Sequence, residues 1–218
     1  MCGRFYLIAS AVEIKKKFNL DQALDLVPRY NIAPTQFSPI VIGAAKDRTV
    51  HMARWGLVPS WSRDLSLGAR MVNAPAEEIE DKPVFRSAFH AQRCLVPANG
   101  YYEWRTRAAR KQPFKIMLRN GALCAFAGLR EKWTPETGEP VETFAIVTTR
   151  ANKLVSEVNE RMPVIIAPAD YQRWLTGSDP TAKRLLVPYT GTMTIAPVSD
   201  RVNNIKEDDV GLIAPMPA

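Results

Sequence analysis

The sequence predicts one α+β domain, a strand-rich antiparallel or barrel-like sheet with a few short helices. Three observations predict it. The chain has 218 residues, the length of a single domain spanning 1–218. Short apolar runs of strand length outnumber helical patterns and rarely alternate with them, which argues against a doubly wound sheet. Seventeen prolines are spread along the chain, as suits many turns between short strands.

The elements follow in order. Ser10 and Glu13 have capping-box spacing and open a helix through Phe18, closed near Asn19. Ser38 to Gly43 and Thr49 to Trp55 read as strands. Arg93 to Pro97 and Tyr101 to Arg105 are two more, flanking Asn99-Gly100, a strong tight-turn signal. Pro113 to Arg119, Ala122 to Leu129 and Glu142 to Thr148 continue the strand pattern. Ala151 to Val158 reads as helical and Pro163 to Ala167 as a strand. Pro168 to Leu175 is a helix with proline in its first turn. Thr192 to Val198 is a late strand.

Composition excludes several classes. Hydrophobic residues make up 46% and charged residues 23%, an ordinary soluble balance. No apolar run is long enough to span a bilayer, and no membrane partner is expected. The opening residues lack a basic region followed by an apolar stretch, so a cytoplasmic protein is expected. Cys2, Cys94 and Cys124 are too few and too scattered for a disulfide framework. They also lack zinc-ligand spacing, and only His51 and His90 could join them, so neither a metal nor any other cofactor is expected. Cys94 and Cys124 lie in apolar runs and read as small buried hydrophobes. There is no Gly-rich phosphate loop, no GxSxG elbow and no HExxH. The net charge of +7 favours polyanions without choosing among them. Its densest basic stretch, Arg105 to Lys115, reads as a solvated loop between two strands or, alternatively, a loop that tracks phosphates.

Cys2 carries the most distinctive chemistry. Removal of the initiator methionine is efficient before a small residue, and it would leave an α-amine and a thiol on adjacent carbons. An α-amine titrates near 7.7–8.0, so a sizeable share is neutral at physiological pH. A neutral amine condenses with an aldehyde to an imine. The neighbouring thiol then closes a five-membered thiazolidine, with the advantage of a tethered reactant. On position alone, an incidental residue in a frayed terminus is the simpler reading.

Its company changes that. Met1-Cys-Gly-Arg-Phe5, Tyr30-Asn-Ile-Ala-Pro34, Trp55-Gly-Leu-Val-Pro59 with Trp61, and Asn73-Ala74 occur in order. Arg93-Cys-Leu-Val-Pro-Ala-Asn-Gly-Tyr-Tyr-Glu-Trp104, Arg161-Met-Pro163, and Pro197-Val-Ser with Val202-Asn-Asn204 follow. This set resembles the SRAP family (SOS response-associated peptidase), whose members capture abasic sites in single-stranded DNA, and it covers the whole chain. The resemblance implies a covalent DNA–protein cross-link between Cys2 and the ring-opened sugar aldehyde. It implies that Asn73 hydrogen-bonds at the reacting centre and that Glu103 is the general acid/base. It places Arg4 and Arg161 near phosphates, with Trp55 and Trp61 as candidate stacking residues. For Trp55, a core role is as well supported. The implied partner is single-stranded DNA containing an abasic site. The implied protein is a monomer, nucleoid-associated during DNA damage.

Two departures stand out. Asn159 occupies the position of a family histidine linked to proton transfer and to reversal of the cross-link. Asparagine cannot exchange a proton near neutral pH, so slow reversal or heavier reliance on Glu103 is expected. Pro75 stands where the family commonly has arginine, so one phosphate contact is lost unless Arg70 or Arg86 replaces it, and weaker strand binding is expected. Three alternatives remain open: a cysteine peptidase with an N-terminal nucleophile, as the family name suggests, a passive DNA-binding module, and a Schiff-base lyase.

Overall fold

A computed structural model describes residues 2–22, 24–107 and 110–216 of the chain. Twelve strands and four short α-helices are present among these residues. The strands are β1 (Arg4–Leu7), β2 (Arg29–Ile32), β3 (Phe37–Ile42), β4 (Thr49–Trp55), β5 (Asn73–Pro75) and β6 (Arg93–Ala98). They continue with β7 (Gly100–Arg107), β8 (Arg110–Leu118), β9 (Cys124–Trp133), β10 (Val141–Arg150), β11 (Arg161–Pro163) and β12 (Met193–Pro197). The helices are α1 (Ala11–Phe18), α2 (Pro83–Ala91), α3 (Tyr171–Thr176) and α4 (Asp179–Lys183).

The strands form two sheets. In one, β4, β3, β6, β9 and β10 pair in turn, and β10 returns to β4, closing a ring. Every pairing in the ring is antiparallel except β10 with β4. Strand β10 changes partners along its length. Ile146 is level with Gly128 of β9 and Asn73 of β5, and Thr148 with Pro75 of β5 and Pro163 of β11. The second sheet runs β12-β8-β7-β1-β2 and is wholly antiparallel. The expected α+β, barrel-like architecture is therefore present.

The chain passes from ring to sheet through Asn99, which corrects the expected hairpin there. Strands β6 and β7 belong to different sheets and do not pair. The Asn99 carboxamide oxygen accepts from the backbone N–H of Ile8 (2.9 Å) and Ala9 (3.0 Å), and its nitrogen donates to the Gly121 carbonyl (3.1 Å). Gly100 is needed for close approach rather than for a turn, since a Cβ there would meet the Tyr6 hydroxyl at 2.5 Å and the Ile116 carbonyl at 2.6 Å.

Local signals held where local bonds decide. Ser10 Oγ accepts from Glu13 N (3.2 Å), the Glu13 carboxylate accepts from Ser10 N (2.7 Å), and Asn19 closes α1 in the left-handed region. Elsewhere they misplaced elements. Ala151–Val158 holds only a single 3-10 turn at Val155–Glu157, because Asn152 folds back to accept from Val155 N (2.9 Å). The strand expected at 163–167 is β11, ending at Pro163, with one isolated bridge from Ile165 to Phe126. The helix expected at 168–175 is a 3-10 turn followed by α3. The basic stretch 105–115 belongs to the β7–β8 hairpin, with Arg105 paired to Gln112 and its guanidinium 4.6 Å from the Phe114 ring centroid. Only Ala108 and Ala109 of that stretch lie outside the described residues.

The main core fills the ring and the space between the two sheets, with the Phe5 ring edge-on to Trp55 and Phe126, and Trp55 stacked on Phe144. A smaller cluster of Tyr6, Tyr102, Val198, Val202 and Leu212 covers the outer face of the second sheet. Asn31 Nδ2 points at the carbonyls of Val202, Asn204 and Glu207, tying β2 to that covering segment. Arg93 is buried and donates to the carbonyls of Phe89 and Trp174 (each 2.6 Å) and to Asp179 (2.8 Å). No helix among the described residues is long and apolar enough to cross a membrane.

Candidate functional site

The seam between the two sheets brings together residues far apart in sequence. Cys2 precedes β1 and is fully buried. Asn73 opens β5, which the ring strand β10 holds in place. Its Nδ2 donates to the Cys2 carbonyl at 2.9 Å. Its Oδ1 is buried with no hydrogen-bond partner among the described residues, so one acceptor site stays open beside Cys2.

Glu103 comes from the other sheet. Strand β1 pairs with β7 so that Arg4 faces Tyr102, and continuing that register sets Glu103 level with Gly3. Glu103 is only 2% exposed. Burial pushes its carboxyl up to about 7. At neutral pH it is thus divided between acid and carboxylate, the condition for donating and accepting protons in one cycle. Burial also pushes the Cys2 thiol well above the usual cysteine range, and the nearby Glu103 charge adds to that. The thiol proton is directed at the Arg4 carbonyl, 3.8 Å away.

Asn159 joins the same group. Its Nδ2 donates to Glu103 Oε2 at 3.0 Å, while its Oδ1 accepts from Arg161 N at 3.0 Å. The second bond fixes which end of the carboxamide faces Glu103, so the glutamate meets a permanent neutral donor. Four of the expected residues, Cys2, Asn73, Glu103 and Asn159, therefore converge.

The expected DNA-contacting residues divide. Arg4 is half-buried, with Nη1 on the Gly3 carbonyl at 2.8 Å and Nε without a partner among the described residues. Arg70 is exposed at the end of a 3-10 turn, three residues before Asn73. Trp61 is 67% exposed. The Arg161 guanidinium is already engaged, with both Glu77 oxygens at 2.9 Å and with the Thr148 carbonyl at 2.7 Å. Glu77 was not singled out from the sequence, and only its position four residues after Asn73 hinted at it. Arg86 is exposed on α2, which packs on β6 and β9. Trp55 is a correction: it is fully buried, with Nε1 donating to the Val72 carbonyl at 2.9 Å, so it offers no face to a base. His51 contacts Thr49 (3.0 Å) and His90 contacts Asp179, so neither is engaged with Cys2. Cys94 and Cys124 are buried and unpaired.

Comparisons with known proteins agree in extent. The family model described as SOS response associated peptidase (SRAP) matches residues 1–205. The chain is 39% identical over 221 residues to the abasic site processing protein YoqW of Bacillus subtilis, covering 98% of this chain and 99% of that protein. It is 38% identical to YoaM of the same organism, also named an abasic site processing protein, covering 98% and 97%. Its fold matches a crystal structure of a protein from Bacteroides thetaiotaomicron with a TM-score of 0.89 and 27% identity, covering 99% of this chain and 100% of that one. With the family match running through Cys2, Asn73, Glu103 and Arg161, the chain belongs to the SRAP family.

Proposed function

We propose that this protein processes abasic sites, capturing the ring-opened sugar of single-stranded DNA as a thiazolidine on Cys2 after Met1 is removed. The observation that carries the reading is the approach of Glu103, a buried carboxyl with a pKa near 7, to Cys2, whose carbonyl is held by Asn73. Protonated Glu103 assists opening of the sugar ring and departure of water as the Cys2 amine and the C1′ aldehyde form an imine. Ionised Glu103 then takes the thiol proton. Sulfur bonds to C1′, the imine electron pair moves to nitrogen, and the proton ends there. The thiol has added across C=N with no oxidant or reductant. The open Asn73 Oδ1 suits a donor on the amine or sugar. Arg4, Arg70 and Trp61 supply phosphate and base contacts, and Arg161 joins them where a phosphate competes with Glu77. The peptidase reading draws on no separate observation, since His51 is engaged with Thr49 and His90 with Asp179.

The test is a denaturing gel after incubation with an abasic single strand, with an intact mass confirming loss of Met1. A slow-migrating band that disappears in Cys2→Ala is expected. No band from the processed wild-type protein overturns the reading.

A further inference from the structure

Tyr101 lies two residues before Glu103 on β7, so strand alternation puts both side chains on one face. It faces Phe5 of β1, is 1% exposed, and belongs to the same buried cluster as Cys2. Its ring is held edge-on to Phe126, with centroids 5.9 Å apart and planes at 85°. Yet its hydroxyl has no hydrogen-bond partner among the described residues. Phenylalanine would fill the same space without stranding a polar atom, so the hydroxyl calls for an acceptor that appears only during function.

The surroundings narrow that acceptor. The ionisable groups near enough to bear on the phenol when charged are those of Cys2, Glu103 and Cys124. Cys124 also donates its S–H to a carbonyl, Ala98 O at 3.1 Å, but takes no part in the capture chemistry, and Glu103 Oε2 already accepts from Asn159. The Cys2 sulfur uses its proton toward Arg4 O and keeps its lone pairs for another donor. We propose that Tyr101 is a further catalytic residue, its hydroxyl donating a hydrogen bond to the Cys2 sulfur as the thiol proton leaves for Glu103. Burial keeps the phenol protonated far beyond neutral pH, so the donor is always loaded. A charge-assisted bond of this kind is among the strong ones, and it forms only once the sulfur is ionised. The inference rests on the capture chemistry above for its purpose, though not for its test.

The test is Tyr101→Phe in the processed protein. Three quantities are measured: the urea midpoint, the rate of iodoacetamide addition to Cys2 at pH 8 followed by N-terminal peptide mass, and the single-turnover cross-linking rate. Expected are an equal or higher midpoint, and Cys2 alkylation and cross-linking each slowed about tenfold or more. Unchanged Cys2 alkylation overturns the inference, as does a slowing accompanied by a lowered midpoint, which would make the hydroxyl structural. A wild-type protein that alkylates but never cross-links defeats the capture reading alone, because the alkylation comparison still decides Tyr101.

Discussion

Replacing Glu103 by glutamine should stabilise the protein above neutral pH while disabling it. The carboxyl is 2% exposed, and burial lifts it from the ordinary 4.5 to about 7. That rise, at about 1.36 kcal/mol per pH unit, corresponds to about 3 kcal/mol as an upper bound. The sign follows from proton counting. Between pH 4.5 and 7 the folded protein holds a proton that the unfolded chain has released, so stability falls as pH rises. The contribution is fully present below about pH 4.5 and lost above about pH 7. The substituted glutamine is neutral throughout, and its oxygen can still accept from Asn159. Urea unfolding at pH 4 should therefore give equal stabilities, while at pH 8 the Glu103→Gln variant should be more stable by up to about 3 kcal/mol, or about 6–12 °C in Tm. Cross-linking should meanwhile fall roughly 10²–10⁴-fold. A gain of the same size at both pH values, or none at pH 8, refutes the claim that a buried carboxyl sits in this site at the expense of stability.

The remaining predictions concern residues proposed to meet the strand, and Trp55, which does not. Trp61→Ala should change unfolding free energy by less than about 0.5 kcal/mol but weaken single-strand binding by about 1–3 kcal/mol, read by fluorescence anisotropy. Trp55→Ala should instead cost about 3–5 kcal/mol of stability in urea unfolding, since the indole is wholly inside the core. Asn159→His places a titratable ring on Glu103 and should speed cross-link reversal, followed on denaturing gels after adding competitor abasic strand; an unchanged reversal rate refutes this. Pro75→Arg should tighten binding to single strands and steepen the slope of log K against log salt by about 0.7 in salt titrations.

The positions that carry the family resemblance fall in two kinds of place, and only the folded chain separates them. Cys2, Asn73 and Glu103 meet at the seam. Asn31 instead ties β2 to the segment around Val202 and Asn204, and Arg93 gathers carbonyls from α2 and the α3–α4 region. A motif that looks uniform along the sequence is thus part proposed site and part fastening.

By itself the sequence determined the elements governed by local bonds and pointed to the group proposed here as reactive. The Ser10–Glu13 cap, the strand over 49–55 and the 1,2-aminothiol of a processed Cys2 all depend on residues within a few positions of one another. Tertiary structure alone decided what depends on distant partners. Strands β1 and β2 escaped a pattern reading because both faces of β1 are covered, by Phe5 and Leu7 in the main core and by Tyr6 in the outer cluster, which erases alternation. Asn99-Gly100 carried a turn signal that the N–H groups of Ile8 and Ala9 overrode. The burial of Trp55, the orientation of Asn159, and the raised pKa of Glu103 are likewise consequences of packing, since desolvation exists only once the two sheets close over the seam.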